Sequence, residues 1–274
     1  MTLAAWFSAL VLAAVADVAP PPPPPPPLPP LPATSAPAVT PAPQATVVPV
    51  TPAKDPRALA LLQKMSDKLR SAKTFKVKLR TTVEQATGGL LSSAFNMGTL
   101  EMERPNRVAA TREGDLPEFH FLYDGTAMTV SVPGAGQWAT AAAPPTTAAM
   151  LLAAAELGDL SLPMDELLVD DPYATLTRDL VHAAYLGQVS VDGKKADHLI
   201  LLTGGVEIQY WLDATSGLPL REAMVYADHV LRPHYTVEYS DWKLNHRVRE
   251  KTFELPKPKG ATQVDFRTAA AVFR

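Results

Sequence analysis

The 274-residue chain contains no cysteine, which excludes disulfides, thiolate nucleophiles, thiolate metal sites and the lipid-modified cysteine of a lipoprotein. With 25 Lys and Arg against 28 Asp and Glu, it carries a net charge of −3 and a pI near 6.1; it has no broad cationic surface to neutralise phosphates, and nucleic acid is not an expected partner. Composition breaks near residue 53: residues 18–53 hold no charged side chain and most of the prolines, and the rest is long enough for one well-buried domain.

Residues 3–16 form an apolar run that ends in Ala14-Val15-Ala16, a small-residue exit before Asp17. The run is too short to span a bilayer, which takes roughly 20 residues, and reads as a signal peptide over 1–16 that is cleaved on export. No Lys or Arg precedes it, so an uncleaved N-terminal anchor is the alternative. Residues 17–53 read as a Pro-rich spacer, polyproline II in its first part. The folded domain is expected over 54–265, with a C-terminal tail over 266–274.

Asp55 and Pro56 mark a helix start, and Leu59, Leu62, Met65 and Leu69 place one apolar stripe on a helix running to residue 72. Residues 74–87 alternate, with Phe75, Val77, Leu79 and Val83 facing a core and Lys76, Lys78, Arg80 and Glu84 facing water. Gly88-Gly89 turns the chain into a second strand that ends at Arg104-Pro105-Asn106, and the strands continue past Tyr123-Asp124-Gly125 to about residue 142. Tight turns between short alternating runs make this an antiparallel meander. Gly134-Ala135-Gly136 is a hairpin loop, since a phosphate loop needs a helix after it and Gln137-Trp138 opens a strand.

Residues 146–157 are helix-prone with Glu156 as the one charge, and so need apolar neighbours on more than one side. A second helical piece follows Pro163 and breaks at Pro172. Strands resume over 181–191, 196–202, 206–213, 220–226 and 234–244, and residues 252–255 read as a last short strand. The fold class is therefore α+β, mainly β: one long antiparallel sheet, strongly curved, with about three helices covering its concave face.

Serine-hydrolase, P-loop, dinucleotide and H-E-x-x-H motifs are absent, and no enzyme activity, catalytic residue or cofactor is expected. His229 and His234 with Asp228 are the one histidine group close in sequence, too few ligands for a metal site. Carboxylate pairs stand at Glu101 and Glu103, Asp165 and Glu166, and Asp170 and Asp171. The first is expected on the solvated side of its strand, and no pair gives a reason for a shifted pKa.

Five segments, in this order, carry a family resemblance: residues 55–66 (DPRALALLQKMS), Arg104-Pro105-Asn106, Tyr123-Asp124-Gly125, residues 162–176 (LPMDELLVDDPYATL) and residues 252–260 (TFELPKPKG). From Asp55 to about Asp265 the chain resembles the DUF2092 family of periplasmic proteins within the LolA/LolB-like superfamily of lipoprotein carriers. The resemblance implies an open half-barrel, a periplasmic location (or inner-membrane anchoring if the N-terminus stays uncleaved), and binding of a lipid or acylated ligand, with envelope membrane proteins as further partners. It also implies that Arg104 looks inward at a cavity mouth and bonds backbone carbonyls of the covering helices; on residue type alone Arg104 would be a surface arginine. In an apolar cavity, Met150, Leu151 and Leu152 are the expected inward ligand contacts. A non-enzymatic protein-interaction or stress-sensing module with a filled interior is the alternative on the same fold.

Overall fold

The computed structural model describes residues 53–226, 229–254 and 260–271. Twelve strands make one curved, open, mainly antiparallel sheet. They are β1 (Thr74–Thr87), β2 (Leu90–Glu103), β3 (Arg107–Gly114), β4 (Phe119–Tyr123), β5 (Ala127–Val132), β6 (Gln137–Ala142), β7 (Leu180–Val191), β8 (Lys194–Thr203), β9 (Val206–Asp213), β10 (Pro219–Tyr226), β11 (His234–Leu244) and β12 (Thr262–Gln263). Their spatial order, β12-β6-β5-β4-β3-β2-β1-β11-β10-β9-β8-β7, is two meanders zipped together where β1 pairs with β11.

Three of the hairpins close through two residues with positive φ: Gly88-Gly89, Asp192-Gly193 and Gly204-Gly205. Such loops match the right-handed twist of their strands and fix the register, Thr87 opposite Leu90, Val191 opposite Lys194 and Thr203 opposite Val206.

The helices are α1 (Pro56–Ser71), α2 (Thr147–Gly158), α3 (Asp165–Leu168), α4 (Pro172–Thr177) and α5 (Phe266–Ala270). Asp55 caps α1 by accepting from the Arg57 amide at 2.8 Å, and its other oxygen accepts from the Tyr185 amide at 3.1 Å, which ties the helix start to β7. The helices form a continuous layer: α1 lies against β7, α4 against α1, α3 against α4, α2 against α3, and α5 against α2, β5 and β6. Ser66, fully buried on α1, accepts the Tyr173 amide of α4 at 3.0 Å. One apolar core fills the space between this cover and the concave face of the sheet.

Three expectations need correction. Residues 250–253 form a 3-10 turn rather than a strand; Phe253 is buried, with the Arg107 guanidinium 4.2 Å over its ring, and Leu255 lies outside the described residues. Residues 266–271 are no loose tail: α5 buries Phe266, Ala269 and Ala270, and Gly158 of α2 packs so close that an added Cβ would fall 2.5 Å from that of Ala270. Here is the second apolar neighbour that α2 requires. The sheet edge, finally, is closed by a parallel pair, β12 on β6. The expected signal peptide and residues 17–52 of the spacer lie outside the described residues.

Candidate functional site

Two of the sequence motifs meet at one rim of the sheet. The turn after β2 carries Arg104, Pro105 and Asn106, and the end of β4 carries Tyr123, with Gly125 just beyond. The Tyr123 hydroxyl donates to the Pro144 carbonyl at 2.6 Å, the Asn106 side-chain amide to the Pro145 carbonyl at 3.0 Å, and the Thr147 hydroxyl to the Pro105 carbonyl at 3.1 Å. Together they pin the start of α2 to the rim. Thr146 caps the same helix by accepting the Ala149 amide.

Arg104 holds the other end of the cover. Its side chain is only 13% exposed, Nη1 donates to the Val169 carbonyl at 3.4 Å, and Asp170 lies 3.7 Å away. Val169 and Asp170 link α3 to α4, so this arginine joins sheet to cover. Its Nε and Nη2 are buried without a hydrogen-bond partner. Burial lowers its pKa, and the Asp170 carboxylate opposes that.

Inside, Met150 and Leu151 of α2 are buried in the core. Leu152 is a correction: it is partly exposed and outside the core cluster, because successive helical residues turn about 100° and three in a row cannot all face inward. Met164, Leu167 and Leu168 of the cover are buried in the same core as Leu100, Met102, Phe121 and Met128 of the sheet.

A polar cluster sits in this apolar interior. Asp165 and Glu166 of α3 and Glu222 of β10 are 4%, 1% and 0% exposed. The Tyr210 hydroxyl donates to Glu166 Oε1 at 2.9 Å, the Tyr239 hydroxyl to Glu222 Oε2 at 2.5 Å, and the Ser161 hydroxyl to Asp165 Oδ2 at 3.0 Å. Burial pushes all three carboxyl pKa values up, Glu222 to about 7; the nearby charges of Glu222 and of Glu166 add to the rise at Glu166 and at Asp165 respectively. In the sequence Asp165 and Glu166 carry no sign of such a shift, and Glu222 does not stand out as a site residue. The available signal was that Glu222 shares a strand face with Met224 and Tyr226. Beside the cluster is a cavity of about 50 Å³, lined by Asp165, Glu166, Met164, Met224, Tyr226 and Tyr235 among others.

Glu101 also departs from expectation. Buried at 6% exposure, it accepts from Lys76 Nζ at 2.9 Å and lies 2.9 Å from His246 Nε2. Burial alone would raise its pKa, but the bonds from His246 and Lys76 outweigh that and hold it below the ordinary value. Among the described residues there is no His, Asp or Glu group suited to a metal ion, and Asp228 lies outside them.

A curved open sheet, roofed by helices that its rim grips through side chains, is a half-barrel with a cover. The chain belongs to the DUF2092 family, described as predicted periplasmic proteins, whose model matches residues 58–267. Solved structures similar to it include the lipoprotein LppX of Mycobacterium tuberculosis (13% identity, TM-score 0.43, covering 71% of this chain and 98% of that one). A chain of the MucA/MucB complex of Pseudomonas aeruginosa is another (15%, 0.41, 73% and 61%), as is a LolA superfamily protein of Nitrosomonas europaea (14%, 0.32, 72% and 97%). A search of curated proteins found no match.

Proposed function

We propose that the protein is a periplasmic binding protein, not an enzyme, that takes a lipid or acyl chain between the curved sheet and a helical cover able to open. The observation that carries this reading is Arg104. The guanidinium buried between sheet and cover bonds the Val169 carbonyl at 3.4 Å and pairs with Asp170, while its Nε and Nη2 have no protein acceptor and are donors that the oxygens of an acyl headgroup can take. Met102, Met128, Met150 and Met164 belong to the core between sheet and cover, and unbranched methionines repack around an irregular guest. Each buried CH₂ of that guest contributes about 0.8 kcal/mol before binding costs. Arg104, Met150 and Leu151 are the proposed ligand contacts; Leu152, partly exposed and outside the core, is not among them. The implied partners are the acylated ligand and the envelope membrane proteins that exchange it.

Titration with a fluorescent fatty acid tests this. Saturable binding, altered in rate or affinity by Arg104→Leu, is the expected result; a folded protein that takes up no probe, with or without the substitution, overturns it. A second reading is an interaction module with a permanently filled interior. The small size of the cavity favours it, as do Phe95 and Met97, exposed on the outer face of β2. It is the reading left standing if the titration is negative.

A further inference from the structure

The three interior carboxyl groups are divided between the two layers. Asp165 and Glu166 belong to the cover, on α3, whereas Glu222 belongs to the sheet, on β10, directly across from Tyr210 of β9. Each glutamate spends one oxygen on a tyrosine hydroxyl of the sheet. The remaining oxygens, Glu166 Oε2 and Glu222 Oε1, are fully buried and accept from no donor, and the two carboxyl groups are brought together because Tyr210, whose hydroxyl bonds Glu166, stands directly opposite Glu222 on the neighbouring strand, close enough for each to perturb the other. Two ionised carboxylates cannot hydrogen-bond, and buried like charges at contact repel strongly. A single proton between them satisfies both oxygens and turns the repulsion into a bond.

We propose that Glu166 and Glu222 form a proton-operated clasp between cover and sheet, closed while they share a proton and released when both ionise. From the preceding subsection this takes only that the cover opens; it adds what sets the opening. The groups facing the pair from each packed element are acidic or phenolic: Asp165 beside it on α3, Tyr226 on β10, Tyr210 on β9, and Tyr235 and Tyr239 on β11, with the Ser161 hydroxyl on Asp165. Arg112 of β3 lines the neighbouring cavity and gives Nε and Nη2 to the Pro117 carbonyl. The segment that would swing carries two non-glycine residues with positive φ, Asp159 and Met164, one at each end of the loop into α3.

The sign follows from the raised carboxyl pKa values. The closed state holds protons that an opened, hydrated pair gives up, so closure is strongest below the ordinary glutamate value of 4.5 and weakens as pH rises towards about 7, the value for Glu222 in the closed state. Across that window each proton released shifts the open-to-closed ratio up to tenfold per pH unit.

Hydrogen exchange of the full chain at several pH values between 5 and 8, corrected for intrinsic exchange, tests the clasp. Amides of residues 159–170 are expected to lose protection as pH rises, while those of α1 serve as the reference. Glu222→Gln, which cannot ionise, is expected to flatten that trend. Protection of 159–170 that stays level from pH 5 to 8, or falls equally in Glu222→Gln, overturns the proposal; should the variant fail to fold, the wild-type series decides alone. Fatty-acid binding measured on the same samples reports separately on the carrier reading: a cover that opens with pH but takes no probe keeps the clasp and removes the carrier.

Discussion

Asn106 lies directly beneath Gly125: a Cβ placed on Gly125 would stand 2.6 Å from Asn106 Nδ2, the atom that donates to the Pro145 carbonyl. Two turns from different hairpins thus hold one amide, and that amide holds the start of α2. Gly125 also has φ +96°, where a side chain is strained. Gly125→Ala is expected to cost about 1–3 kcal/mol, read from urea denaturation midpoints. Because part of that cost is the clash, it should shrink in an Asn106→Ala background, and equal costs in both backgrounds would show that the contact does not matter.

Arg104→Leu removes the charge-assisted bond to the Val169 carbonyl and should loosen the cover while leaving the strands intact. A loss of about 1.5–3 kcal/mol in local closure is expected, seen as faster hydrogen exchange in residues 144–178 with unchanged exchange in β8 and β9. Unaltered exchange in the cover would rule out a latch.

Glu101→Gln tests the buried Lys76–Glu101–His246 group. Since the native carboxyl is held below its ordinary value of 4.5, its contribution is present above that pH and is lost as pH falls through the native value. The substitution should cost about 2 kcal/mol at neutral pH, with the gap to wild type closing in acid. A gap that is constant from pH 7 to pH 3 would contradict the assignment.

Leu151 and Leu152 separate the inner and outer faces of α2. Leu151→Glu buries an unpaired charge and should destabilise by about 3 kcal/mol or more, whereas Leu152→Glu should change stability by about 0.5 kcal/mol or less. Thermal melts of the two variants check this, and similar losses in both would place Leu152 in the core after all.

The strands were legible because a period of two is visible within one segment: Phe75, Val77 and Leu79 alternate with Lys76, Lys78 and Arg80, and the glycine pairs mark the turns. The Asp55 cap was legible for a similarly local reason, standing just before Pro56, whereas the Thr146 cap of α2 came only with the structure. What was not legible is what depends on partners far along the chain. Glu101 looks solvated until His246, from beyond β11, closes over it. Glu222 looks like one more charge in a strand until β9 and β11 bring Tyr210 and Tyr239 against it. Phe266, Ala269 and Ala270 make too short a stripe to announce a helix, and its burial depends on Gly158 of α2. Arg104 was reached through a family resemblance, because an arginine before a proline carries no signal of its own burial.

Native mass spectrometry of the protein after mild purification, with extraction and identification of any bound species, tests the central claim most directly. The carrier account predicts a mass shift corresponding to a lipid or acylated ligand, lost on denaturation and reduced when the cover is loosened by Arg104→Leu. A bare polypeptide mass, from protein that also binds no fatty-acid probe, would contradict it and leave a half-barrel whose interior serves only to hold its own fold.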